Sequence, residues 1–437
     1  MQAADLEKSY DPKTLESKVY EYWMTNGHFR AKAEPGKEAF TIVIPPPNIT
    51  GSLHMGHALD NTIQDVLTRF HRMSGKVACW VPGTDHAGIA TQTVVEKELK
   101  KEGKTRHDLG REEFIKRVWV WREKYGNTIT EQLKRLGVSC DWDRQAFTMD
   151  AARSKAVRHA FVHLYNKGDI YRGKRLINWC TNCLTALSDL EVEHETSQGN
   201  LYYLRYPIVG EEGTVVIATT RPETIMADVA IAVNPTDERF SHLVGKKVQI
   251  PTMGGEIPVI ADEAVLTDFG TGALKITPAH DPVDYEVGQR HNLPQLSCMD
   301  ETGKINELGG KYQGLDRFVA RKQLVKDLDE AGLLVEIKPH ENNVGHCYRC
   351  HSVLEPYLSD QWFMAMKRLA QPAIEAAHSG EVSYVPERYN KVYLNWMENI
   401  RDWCISRQIW WGHRIPVWTC GDCGHVEAHT EYPSACP

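Results

Sequence analysis

No run of eighteen apolar residues occurs in the 437-residue chain, so a transmembrane helix is not expected. The first thirty residues hold Asp5, Glu7, Asp11, Glu16 and Glu21 and lack a basic stretch followed by an apolar core. Neither a secretory leader nor an acid-poor transit peptide is therefore expected. Positive charge is not in excess: the formal net charge is -7, so no global basic field points to nucleic acid. Any such partner must be held by local patches such as Lys97, Lys100, Lys101 and Lys104, which equally read as a solvated helix face. Internal repeats, low-complexity tracts and collagen-like periodicity are also missing. What remains is an ordinary globular composition, with length for two to three domains at roughly 150 residues each.

Cysteine, in contrast, is plentiful. Six of the eleven form three C-x-x-C pairs: Cys180/Cys183, Cys347/Cys350 and Cys420/Cys423. Without an export signal, this spacing reads as metal ligation rather than disulfides, and as a reducing cytoplasm. Cys79, Cys140, Cys298 and Cys404 read as buried and inert.

The run Phe40–Ile44 predicts a buried strand, stopped by Pro45-Pro46-Pro47 because proline cannot continue a ladder. Leu59, Ile63, Val66, Leu67 and Phe70 then form a helical stripe with Asp60 and Asp65 among the polar positions, an amphipathic helix. Lys76–Val81 predicts a second strand, ended by Pro82-Gly83. Strand, helix and strand in about forty residues make a βαβ unit with a parallel sheet, hence an α/β, Rossmann-like fold. Residues 112–136 read as a charged helix. From Leu201 to about Pro278, short β-branched runs alternate with turn signals, which predicts a compact β-rich insert. Helical patterns return at 282–291 and 316–331.

His54-x-Gly56-His57 falls at the strand-to-helix turn. A helix N-terminus offers free amide donors and partial positive charge, and a glycine allows a phosphate to approach the backbone. Two imidazoles there could donate to a phosphoryl group during displacement. Both could equally serve only as helix caps. Asp85, at the end of the second strand, suits an ammonium in the crevice beyond the sheet, and it equally suits an N-cap for the next helix.

Wider matches decide between these options. Residues 45–60, P-P-P-N-I-T-G-S-L-H-M-G-H-A-L-D, resemble the first signature of class I aminoacyl-tRNA synthetases. Pro82–Gln92 resembles the strand end of the valyl-tRNA synthetases in particular. The likeness continues through N-W-C-T-N-C at 178–183, T-T-R-P-E-T at 219–224, T-P-A-H-D-P-V-D-Y at 277–285 and D-W-C-I-S-R-Q-I-W-W-G-H-R-I-P-V-W at 402–418. It implies ATP-dependent activation of valine, with Mg2+, and transfer to tRNA(Val). His54, Gly56 and His57 would serve the ATP, Pro45, Pro46 and Asn48 would border the valine and adenylate pocket, and Asp85 would hold the α-ammonium. A cytoplasmic monomer is expected.

The resemblance also implies hydrolytic editing. Valine and threonine are nearly isosteric, and their separation is the standard example of a hydrophobic pocket that rejects an added hydroxyl poorly. The insert, 190–345, resembles the family's editing domain. Thr219, Thr220 and Arg221 match its threonine-rich edge, Phe269, Lys275 and Thr277 its pocket wall and floor, and Asp281 and Asp284 its two acids. Asp284 would bind the ammonium and Asp281 the side-chain hydroxyl or water, an order that stays open. T-T-R-P-E-T equally reads as a strand followed by a proline-started helix, and Asp281 as the cap before Pro282.

Residues 1–38 are expected as an N-terminal helical segment, 39–189 as the first part of the Rossmann-like domain, and 346–437 as the return to it. Cys180, Cys183, Cys347 and Cys350 bracket the insert and could form a closed tetrahedral Zn2+ site at its base, with His194, His346 and His351 as alternative ligands. Cys420, Cys423 and Cys436 resemble a second knuckle that usually has a fourth cysteine, with His425 or His429 as possible substitutes. The family's Lys-Met-Ser-Lys-Ser loop and anticodon-binding domain are not in this sequence, so the chain is expected to be an N-terminal fragment with an incomplete synthetic site. A free-standing aminoacyl-tRNA deacylase, a zinc-bearing RNA-binding module and an isoleucyl-tRNA synthetase are the alternatives.

Overall fold

The computed structural model describes residues 10–436; Asp5 and Glu7 of the acidic N-terminal pattern, and Pro437, lie outside them. The chain forms two compact units, residues 1–164 with 409–437, and residues 165–408.

In the first unit, Ala39–Val43 and Val77–Val81 pair in parallel, from Ala39↔Val77 to Val43↔Val81, joined by helix Met55–Met73. The prolines end the ladder, yet the pairing resumes beyond them. Asp85 N donates to Pro47 O (2.9 Å) and Ile49 N to Asp85 O (3.1 Å). Gly83–Thr84 pairs in parallel with Ala146–Phe147. The helices Gly88–Lys101 and Arg111–Arg135 close a core of Ile44, Ile49, Trp80, Leu99, Phe114 and Trp411.

Helix Met55–Met73 forms as the periodicity predicts, and its apolar stripe faces solvent. Leu59, Ile63, Val66, Leu67 and Phe70 are between 45% and 66% exposed. The polar side lies inward instead, with Asn61 and Thr68 buried. Part of it is bonded across the core: Trp80 Nε1 donates to Gln64 Oε1 (3.1 Å), and Ser139 N to Asp65 Oδ1 (2.9 Å). Periodicity identifies residues that share a face; it does not say which face is covered. Phe70→Gln should therefore cost less than about 0.5 kcal/mol in a urea melt, as for other surface changes. A loss several times larger would show the stripe to be packed.

In the second unit, Ile170–Cys180 pairs antiparallel with Glu355–Met364 from Ile170↔Met364 to Glu355↔Trp179. The outgoing and returning chains are thus bonded to each other. This is why 165–189 and 346–408 group with the insert, whereas the sequence predicts them in the Rossmann-like domain. A long ribbon, Val192–Pro207 with Leu334–Cys347, carries Thr214–Thr219 on its edge. A four-stranded sheet has the order Lys247–Gln249, Glu256–Ala261, Ala230–Val233, Ala273–Ile276. Leu204, Tyr206, Ile217, Ile231, Val233 and Leu324 belong to its apolar core. No described helix is long and apolar enough to cross a membrane.

Candidate functional site

In the first unit, the ends of both parallel strands meet. Pro45, Pro46 and Asn48 are exposed, and Asn48 bridges Asp85. This is the carboxyl edge of the sheet, where α/β folds place ligands. Asp85 Oδ1 accepts from Ala87 N (3.0 Å) and Thr148 Oγ1 (3.1 Å), and His86 Nδ1 lies 3.2 Å away. Burial pushes its carboxyl up, but the bonds from His86 and the Ala87 amide outweigh that and hold it below the usual range. The cap position of helix Gly88–Lys101 is Ala87, so Asp85 closes the preceding turn and is not the N-cap.

His54 and His57 are caps, and the capping leaves them suited to bind an anion. His54 Nδ1 accepts from Gly56 N (3.1 Å), and His57 Nδ1 accepts from His54 N (3.3 Å). With Nδ1 the acceptor, a neutral ring carries its proton on Nε2. The two rings stand 4.0 Å apart, His54 exposed and His57 half-buried, so neither points into packed interior. Partial burial, then the neighbouring His54, lowers the His57 pKa and favours the neutral donor. Gly56 has a structural reason as well: a Cβ there would stand 3.0 Å from His54 Cε1.

Several polar residues around Asp85 were not singled out as site residues by the sequence. Thr148 Oγ1 accepts from His86 N (2.9 Å), and Thr148 O meets His413 Nε2 at 3.0 Å. Trp411 Nε1 donates to His86 O (2.8 Å), and Trp410 N to Gln92 Oε1 (2.8 Å). The D-H-A-G and Q-I-W-W-G-H segments contain most of these residues, but only folding joins them.

In the second unit, Lys275, Thr277 and Asp284 are buried together. Thr277 N donates to Asp284 Oδ2 (2.8 Å), and Lys275 Nζ donates to Thr277 Oγ1. Burial raises the Asp284 carboxyl to about 7, despite the opposing pull of Lys275. Asp281 is exposed and caps helix Pro282–Arg290, Oδ1 accepting from Val283 N (2.8 Å) and Asp284 N (3.2 Å). The two acids thus occupy different environments. Thr219 ends its strand and accepts from Arg221 N (3.1 Å); Thr220 is half-buried; Phe269 is exposed with its ring edge toward His340. No hydrogen bond among the described residues joins these three to Lys275, Thr277 or Asp284.

Arg221 turns to a buried ion network. Nη1 donates to His280 O (2.8 Å), and Nη2 pairs with Glu355. Glu355 also receives Arg317 Nε at 2.6 Å, and Glu223 receives Arg321 through two bonds of 2.7 Å each. Through His280 O the network braces the chain just before Asp281, which caps the helix that carries Asp284. The 3-10 turn Pro222–Ala227 follows the strand, as the alternative reading of T-T-R-P-E-T expects.

The sulfur atoms of Cys180, Cys183, Cys347 and Cys350 all lie within 4.8 Å of one another, Cys180 and Cys350 at 3.5 Å. A tetrahedral ZnS4 centre places sulfurs roughly 3.8 Å apart from its ~2.3 Å bonds, so the donor set fits the metal. His346 and His351 are engaged elsewhere, with Val344 O and Glu193, and neither histidine joins the sulfur group; nor does His194. Cys420, Cys423 and Cys436 converge at the hairpin Val417–Thr419/Val426–Ala428, partly exposed. His425 and His429 pair with Glu427 instead of joining them. Cys140, Cys298 and Cys404 are buried as expected, whereas Cys79 is only half-buried; burial raises all four thiols.

The chain belongs to the class I tRNA synthetases, whose family model (I, L, M and V) matches residues 18–435. Within that class it is similar to valine–tRNA ligases. It is 58% identical to the valine–tRNA ligase of Carboxydothermus hydrogenoformans over 428 residues, covering 98% of this chain and 49% of that protein. The valine–tRNA ligase of Clostridium perfringens is 56% identical over 436 residues, 100% of this chain and 50% of that protein. That of Thermotoga maritima is 56% identical over 434 residues, 99% and 50% respectively. The chain spans about half the length of the curated relatives it matches.

Proposed function

We propose that this chain is the part of a valine–tRNA ligase that supplies one side of the ATP and valine site, in residues 1–164 and 409–437, and the hydrolytic editing site, in residues 165–408. Every relative named above is a valine–tRNA ligase, which favours valine over the isoleucine alternative. Eleven unpaired thiols suit the reducing cytoplasm such an enzyme works in.

The observation that carries the editing reading is the buried group Lys275, Thr277 and Asp284 beside the N-terminus of helix Pro282–Arg290. Water attack on an aminoacyl ester builds negative charge on the carbonyl oxygen, and the Lys275 ammonium, oriented by its bond to the Thr277 hydroxyl, is a preorganised donor for it. Ionised Asp284 pairs with the substrate's α-ammonium, and exposed Asp281 meets the threonine hydroxyl or the water. In the first unit, Nε2–H of His54 and His57 donates to the phosphates of ATP with its Mg2+, and Asp85 holds the ammonium of valine. Cys180, Cys183, Cys347 and Cys350 would hold Zn2+, which supplies a cross-link at the base of the editing unit.

Hydrolysis of threonyl-tRNA(Val) and valyl-tRNA(Val) by the 437-residue chain tests this reading. Threonine should be released faster, by on the order of a hundredfold. Release of neither, or of both at one rate, would refute it.

A further inference from the structure

Asp228 interrupts the apolar run Ile225–Val233 and is almost wholly buried. A carboxylate in such a place costs free energy unless its bonds are made. They are made in full: Oδ2 accepts from the Tyr206 hydroxyl (2.5 Å), and Oδ1 accepts from Lys275 Nζ (3.1 Å) and Thr277 Oγ1 (3.2 Å). Tyr206 is itself fully buried. Strand register puts Asp228 there, since Ala230 pairs with Ile276 and Val229 N donates to Ile276 O (2.9 Å).

We propose that Asp228, backed by Tyr206, is a positioning residue for hydrolysis, holding the Lys275 ammonium, together with the Thr277 hydroxyl bonded to both, in the orientation in which the ammonium meets the substrate. This rests on the hydrolytic reading of Lys275, Thr277 and Asp284. Asp228 has no surface to offer a substrate, so it acts only through its neighbours. Two of the three Lys275 N–H groups go to Asp228 and Thr277, which directs the third. Thr277 couples the two acids, its hydroxyl bonded to Asp228 and its amide to Asp284. A donor fixed before reaction stabilises developing charge without reorganising, and Asp228 is what fixes it.

Asp228, Asp284, His280 and Cys298 lie close enough to Lys275 to feel its charge, and of these Asp228 alone is hydrogen-bonded to its ammonium. Removing the charge of Asp228 weakens the bond that fixes that ammonium.

The test measures threonyl-tRNA hydrolysis by the 437-residue chain from pH 6 to 9 for D228N, Y206F, K275M and the double variant D228N/K275M. D228N should lower kcat on the order of a hundredfold with KM changed less than about threefold, the scale of losing a preorganised donor. Y206F should lose roughly tenfold, again in kcat rather than KM. The double variant should be no slower than K275M alone. D228N at the parental rate, or losses that multiply in the double variant, would overturn the proposal. If D228N does not fold, as judged by circular dichroism, Y206F decides, and a parental kcat in Y206F overturns it. K275M at the parental rate would instead refute the hydrolytic reading on which the proposal rests.

Discussion

Threonyl-tRNA hydrolysis should fall by on the order of a hundredfold or more when Asp284 becomes asparagine, because the only ionised partner for the substrate's ammonium at that position is removed. The substitution is nearly isosteric, and the asparagine oxygen can still accept from Thr277 N, so folding should survive. The pH dependence is a second readout. Burial lifts the Asp284 carboxyl from 3.8 to about 7. Below that value the site holds mostly neutral acid, so the parental rate should climb about one decade per pH unit up to near 7. D284N should lack this limb. Stability runs the other way: the folded chain keeps a proton that the unfolded chain has lost, so this residue's contribution declines as pH rises from about 4 to about 7. D284N removes the decline, and in urea melts at pH 8 it should be at least as stable as the parent. Unchanged hydrolysis in D284N would move the ammonium site elsewhere.

The second large effect is expected at the sulfurs. The double variant with Cys180→Ser and Cys347→Ser should lose its bound metal, and unit 165–408 should melt roughly 10 °C lower. That shift corresponds to several kcal/mol at about 3 °C per kcal/mol for a unit of this size. Cys180 ends strand Ile170–Cys180 and Cys347 ends Leu334–Cys347, so one ion closes the loop between them. Elemental analysis of the parent should find zinc. A chelator should strip the three-sulfur group of Cys420, Cys423 and Cys436 first, because among the described residues three thiols converge there and two of them are exposed. Metal-free parental protein, with the same melting temperature as the variant, would show these cysteines to be plain thiols.

Much of the candidate chemistry is legible in the sequence because its parts are close along the chain. His54 and His57 share one helical turn, and Lys275, Thr277, Asp281 and Asp284 fall within ten residues, so local geometry alone keeps each set together. Asp228 is different. A single acid in a nine-residue apolar run is a visible signal, but the partners that make it tolerable, Tyr206 and Lys275, are far away in sequence. Arg221 likewise has a partner that its sequence neighbours do not reveal. Its neighbours suggest a pocket edge, yet Glu355, 134 residues away, draws its guanidinium into the ion network.

Helix Met55–Met73 marks the same boundary. Its existence, length and two-sided character are local consequences of 3.6-residue periodicity and are written in the sequence. Which side lies inward was decided by Trp80 and Ser139, whose polar groups needed Gln64 and Asp65 as partners. The sequence by itself determined the secondary structure around the sites, the class to which the chain belongs and the cysteine pairs able to share a metal. Tertiary structure alone decided the inward face of that helix, the partners of Arg221 and the buried support under Lys275. These depend on desolvation and on hydrogen bonds between distant residues, and neither exists until the chain has folded.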